Sequence, residues 1–140
     1  MTSSLDVRTA SCACGQLTIA LSGTAQRVSS CSCLECQKRT GSAFGVTAFY
    51  LKEQIVEVAG EAKIFNRTAD SGRDLAMRFC PYCGTTVYWE LGMVPGQISV
   101  AVGCFADPLY PAPERTVFHS RKHHWMEFPA RLKKYDTLPD

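Results

Sequence analysis

A chain of 140 residues is long enough to bury the core of one domain and too short for two full ones. Charged residues make up 20% and hydrophobic residues 46%, an ordinary globular balance, and a formal charge of +2 is too small to point to a polyanionic partner. The start, MTSSLDVRTAS, lacks the apolar run of a secretory signal, and no later segment approaches the roughly 20 apolar residues of a membrane span. A cytoplasmic protein without membrane partners is therefore expected, with binding to nucleic acid not expected.

Residues 1–10 read as a polar N-terminal arm. After Cys12 and Cys14 comes GQLTIALSG, in which Leu17, Ile19 and Leu21 alternate with Thr18 and Ala20, the pattern of a half-buried strand ended by Gly23. SSCSCLECQKRTGSAFG follows, with Cys31, Cys33 and Cys36 inside six positions and a short helix expected over Glu35 to Thr40. The segments AFGVTAFYL, QIVEVAG, AKIFNR, RDLAMRF, TTVYWEL and QISVAVGCF are short, rich in β-branched and aromatic residues, and punctuated by Gly or polar breaks. PLYPAPE reads as an extended connector, Ser120 to Met126 as a second short helix, and basic RLKKY lies near the end. Nowhere does a 3.6-residue apolar repeat persist for three turns, so a mainly antiparallel β domain is expected.

Eight cysteines in a reducing compartment are better suited to metal than to disulfides. FCPYCGTT joins two expected strands through a CxxC turn, and Gly84 supplies the positive φ that such a knuckle needs to aim Cys80 and Cys83 at one ion. A redox CxxC would be followed by a helix, and no helical pattern follows here. Structural zinc needs four ligands, so a second pair must converge on this one. Cys33 and Cys36 would complete an ordinary zinc ribbon; Cys12 and Cys14 would instead leave the CSCLEC triad whole. In extended backbone Cys31 and Cys33 point to one side, and a turn through Leu34 and Glu35 returns Cys36 to them. Three protein ligands leave a zinc ion one position open, the arrangement associated with catalysis.

The clusters SCACGQL, SCSCLECQKRTGS and RFCPYCGTTVYW, in this order, resemble those of the glutathione-dependent formaldehyde-activating enzyme and centromere protein V family over about residues 11 to 125. The resemblance implies a β-tent fold of antiparallel sheets stapled by a structural zinc on Cys12, Cys14, Cys80 and Cys83. It implies a GFA-like zinc-binding domain over residues 11–128, with 129–140 as a tail. Cys31, Cys33 and Cys36 would then be the catalytic site and hold a second Zn²⁺. The implied activity is that of a carbon-sulfur lyase joining glutathione and formaldehyde into S-hydroxymethylglutathione, or the reverse. Ser32 stands where many relatives carry His, which removes a proton donor but no metal ligand.

Three thiolates on Zn²⁺ carry a formal charge of about −1. Lys38 and Arg39, directly after the triad, either offset that charge and clasp the carboxylates of glutathione or are solvated surface residues. Cys104, in the apolar run ISVAVGCF, is expected in the core; as a fourth sulfur it would close the triad's site. His119, His123 and His124 beside Trp125 read as a surface cluster or a proton-transfer group. Phe44, Phe49, Tyr88 and Trp89 read as core or pocket wall. A noncatalytic zinc scaffold using KHH and RLKK as basic contacts, and a thiol reaction at Cys104, are the competing functions.

Overall fold

The computed structural model describes residues 6–69, 72–92 and 94–139. Its first half contains β1 (Val7–Ser11), β2 (Thr18–Ser22), β3 (Arg27–Cys31), α1 (Leu34–Thr40), β4 (Gly45–Leu51) and β5 (Ile55–Ala59). The second half adds β6 (Lys63–Thr68), β7 (Asp74–Phe79), β8 (Thr86–Leu91), β9 (Gln97–Ala101), β10 (Arg115–Val117) and β11 (Lys133–Lys134). The strands form a three-stranded sheet, β1-β2-β5, and an eight-stranded sheet, β11-β10-β3-β4-β9-β8-β7-β6. The domain is thus mainly β, as expected, and the described residues include no helix long and apolar enough to cross a membrane. Pairing is antiparallel throughout except that β10 runs parallel to both β3 and β11.

Alternation divides the large sheet into two faces with different duties. On one, Val28, Ala48, Val100 and Tyr88 lie in one transverse row of the register and are all buried. They share a single core with Leu17, Ile19 and Leu21 from the small sheet, each 0% exposed. Burying such a side chain contributes about 1.5–3 kcal/mol, so this layer holds the two sheets together. On the other face, Phe49, Ser99, Trp89 and Met77 form the next row, and a smaller apolar cluster gathers around Leu75, Met77, Trp89 and Ala101.

Three segments differ from the sequence expectation. Residues 7–10, read as arm, pair with β2 and place Ala10 in the core; their polar composition hid the strand. QISVAVGCF is a strand only to Ala101, because the last β4–β9 pair is Thr47 with Ala101 and the chain then turns through a 3₁₀ segment, Val102–Phe105. Phe105 stacks on Tyr110, with centroids 4.7 Å apart. Of the helix expected over Ser120 to Met126, only a 3₁₀ turn, His119–Arg121, forms. The Arg121 carbonyl accepts from the Gln37 side-chain amide at 3.1 Å, which competes with continuation of the helix.

Gly60, at φ +94°, closes the turn after β5 against the Gln16 backbone: a Cβ there would lie 1.9 Å from the Gln16 carbonyl oxygen. Replacing Gly60 with Ala is expected to cost about 2–3 kcal/mol, read as a lower urea midpoint at unchanged slope.

Candidate metal centres and the adjoining cavity

Two turns of similar construction meet at the first centre. In the β1–β2 turn, the Gly15 amide donates to the Cys12 carbonyl at 3.0 Å; in the β7–β8 turn, the Gly84 amide donates to the Cys80 carbonyl at 2.8 Å. Gly84 has φ +80°, the positive value expected for the knuckle. The four sulfurs of Cys12, Cys14, Cys80 and Cys83 lie within 4.8 Å of one another. Cys14 Sγ stands 3.6 Å from Cys12 Sγ and 3.7 Å from Cys80 Sγ. These are too long for disulfides and match the edge of about 3.8 Å for four sulfurs around an ion with bonds of ~2.3 Å.

Hydrogen-bond donors reach several of these sulfurs, and Cys80 and Cys83 are held below the ordinary thiol value, whereas Cys14 is pushed up to about 11 despite the Gln16 amide. Backbone amides of Leu17, Tyr82 and Cys14 donate to Cys12, Cys80 and Cys83 at 3.3, 3.4 and 3.5 Å respectively. The Thr85 hydroxyl, the Thr85 amide and the Cys14 amide pull the Cys83 thiol down to about 5. Gln16, which the sequence reading did not single out, donates from Nε2 to Cys80 Sγ at 3.0 Å and to the Glu61 carbonyl at 2.7 Å. Its only signal in the sequence is its place directly after CxCG.

Cys31, Cys33 and Cys36 form the second group, again with all sulfurs within 4.8 Å. Cys31 ends β3, and Cys33 caps α1 by accepting from the Cys36 amide at 3.3 Å. Gly41, at φ +64°, stops the helix, so the turn that returns Cys36 to its partners is fixed at both ends. Contacts with Cys31 and Cys36 hold the Cys33 thiol well below its ordinary value, while contacts with Cys33 and Cys36, together with burial, hold Cys31 above it. The alternative of a ribbon joining Cys33 and Cys36 to Cys80 and Cys83 does not form, since the two groups are separate.

Cys104 belongs to neither group. It is half-buried between the two apolar clusters, donates to the Thr86 carbonyl at 3.7 Å, and burial pushes its thiol up. It therefore leaves the triad at three sulfurs.

The triad opens on a cavity of about 160 Å³ in the second face of the large sheet, with Phe49, Met77, Trp89 and Val117 in its wall. Arg39 also lines it, its guanidinium carbon 4.6 Å from the centroid of Trp89. Lys38 points elsewhere: its side chain is 78% exposed and pairs with Glu35 at 3.5 Å. Tyr88 lies in the main core, and Phe44 packs edge-on against Phe128. His119, His123 and His124 do not line the cavity. His123 Nε2 instead meets Gln37 Oε1 at 2.9 Å, and Gln37 Nε2 donates to the Ser32 carbonyl at 2.9 Å, which ties the C-terminal loop to α1. Ser32 is 0% exposed, and its hydroxyl has no partner among the described residues and is not in the cavity lining.

A mainly β domain with one four-sulfur group and one three-sulfur group beside a cavity is a protein of two cysteine-built sites, each able to hold a metal ion. The chain belongs to the family described as "Glutathione-dependent formaldehyde-activating enzyme", whose model matches residues 7–121. A crystal structure of a Rhodobacter sphaeroides protein is similar at TM-score 0.50 and 17% identity, covering 69% of this chain and 85% of that one, a likeness of fold. No curated protein matches the chain.

Gly45 faces Cys31 in the register, and a Cβ on it would lie 2.6 Å from an Arg39 guanidinium nitrogen. Gly45→Ala is expected to move Arg39 off Trp89 at a cost of under about 1 kcal/mol, because a flexible side chain can yield. The measurement is tryptophan emission: a changed spectrum at nearly unchanged melting temperature is expected.

Proposed function

We propose that the chain is a zinc-dependent enzyme of the carbon-sulfur lyase type that makes or breaks a small thiol-aldehyde adduct. S-hydroxymethylglutathione, formed from glutathione and formaldehyde, is the adduct that family membership suggests. The observation that carries this reading is the triad: three sulfurs within 4.8 Å, beside a cavity, with Cys104 outside the group. The donor sets fit zinc, since sulfur spacing in the four-cysteine group suits a tetrahedral ion and amide donors favour the thiolate form.

Cys12, Cys14, Cys80 and Cys83 are assigned the structural ion and Cys31, Cys33 and Cys36 the reactive one. Zn²⁺ bound at the triad would supply Lewis acidity and an open position that favours a substrate's thiolate over its thiol. In the forming direction the substrate sulfur attacks the carbonyl carbon and makes the carbon-sulfur bond. The carbonyl π pair moves to oxygen, which takes the proton lost by the thiol; cleavage reverses each change. The triad fixes the position of that sulfur, and Arg39 offsets negative charge at the cavity wall. Arg39 suits the substrate-binding role better than Lys38, which does not line the cavity and pairs with Glu35. A reducing compartment such as the cytoplasm would keep these thiols available.

About two zinc ions per chain are expected after purification under reducing conditions. Cys31→Ser should lower the count to about one while leaving the circular dichroism spectrum intact; general unfolding of this variant would contradict the division of ligands. With Co²⁺ in place of Zn²⁺, adding millimolar thiol should change the sulfur-to-metal absorption of the triad. No change would overturn the enzyme reading and leave a metal-stapled scaffold.

A further inference from the structure

We propose that the triad cavity selects a compact thiol carrying a carboxylate, with its sulfur toward the triad and its anionic end among the arginines, and that it does not enclose a tripeptide thiol. The inference rests on the thiol-capturing role proposed above and names the substrate class of that site.

Four guanidinium side chains line the cavity: Arg39 from α1, Arg67 from β6, Arg73 from the turn before β7, and Arg115 from β10. Among the described residues one carboxylate, Glu35, is also in the wall, and it pairs with Lys38. Among the described residues, none of the four arginines has a carboxylate within 4 Å. Arg115 is anchored, donating from Nε to the Ser29 hydroxyl at 3.2 Å, and Arg39 lies over the Trp89 ring. Burial, with Arg27 and Arg73 nearby, pushes the Arg115 guanidinium down, as expected where like charges are crowded. A zinc trithiolate with one bound substrate thiolate carries about −2. Four guanidinium groups exceed that by about two positive charges, more than the metal chemistry requires. A substrate anion is the partner that relieves this crowding, and a carboxylate matches the planar guanidinium fork in two-point contact.

Size supplies the second restriction. The cavity of about 160 Å³ is roughly half the ~300 Å³ at the lower end of pockets that enclose drug-sized ligands. Phe49, Leu75, Met77 and Leu91 give the cavity much of its apolar wall, which suits a short alkyl chain.

The test is calorimetric titration of the zinc-loaded full chain, under reducing conditions, with 3-mercaptopropionate, 3-mercaptopropionamide, propionate and glutathione. The acid is expected to bind at least about tenfold more tightly than its amide and than glutathione. Arg73→Gln and Arg115→Gln, on different elements, should each bring the acid to within about threefold of the amide. If the amide binds as tightly as the acid in the unmodified chain, the charge claim is overturned; equal or tighter binding of glutathione overturns the size claim. Both comparisons need no variant to fold. The Co²⁺ spectrum separates this inference from the proposed activity. Propionate binding that depends on the arginines, with no thiol joining the metal, keeps the anion pocket but overturns both the enzyme reading and the placement of the substrate sulfur at the triad. Glutathione joining the metal as tightly as the acid does the reverse.

Discussion

The pairing of the β1–β2 turn with the β7–β8 turn is the constraint on which the rest of the molecule depends. Cys14 meets Cys80 across 66 positions of sequence, with sulfurs 3.7 Å apart. The same junction carries the Thr85 hydroxyl, which accepts from the Ala13 amide at 3.1 Å, and Gln16, which reaches both Cys80 and Glu61. It joins the small sheet to the far half of the large one, where β6 and β7 have neighbours only within their own sheet. Four thiolates held this close would repel one another without a cation, so a metal ion held at this corner would link its capture to folding.

With that corner fixed, the large sheet can give one face wholly to packing and the other to chemistry. The register makes the separation sharp: Ala48 and Tyr50 enter the core, while Thr47 and Phe49, one step away on the same strand, face the cavity. Residues of β3, β4, β7, β8 and β10 reach that cavity together, and α1 adds Glu35, Cys36 and Arg39. The cavity face is thereby built on paired strands, which position side chains more closely than a loop does.

Much of this architecture was legible in the sequence. The alternation of Leu17, Ile19 and Leu21 marked β2, and the CxxC with Gly84 marked a turn whose backbone has the expected sign of φ. Strand β1 was not legible because its residues alternate weakly, and β10 and β11 were not because two or three residues carry no period. Three cysteines within six positions declared the triad, since local spacing nearly determines their meeting. Arg67, Arg73 and Arg115 gave no such signal: they converge from separate strands and turns, and only the register of the large sheet brings them to one cavity. The end of β9 misled in a different way, since an apolar run cannot say where a strand runs out of partners, although Cys104 packs against the apolar clusters as expected.

Helix α1 has seven residues and buries none of them. Isolated helices of that length are unstable in water, so its shape is borrowed from its attachments. One of these is Gln37, which bonds the Ser32 carbonyl, the Arg121 carbonyl and the His123 ring at once. Cys36 and Arg39 flank Gln37 on the same short helix. The orientation of the triad sulfurs is therefore set in part by a loop 86 positions away, to which the Gln37 side chain ties α1.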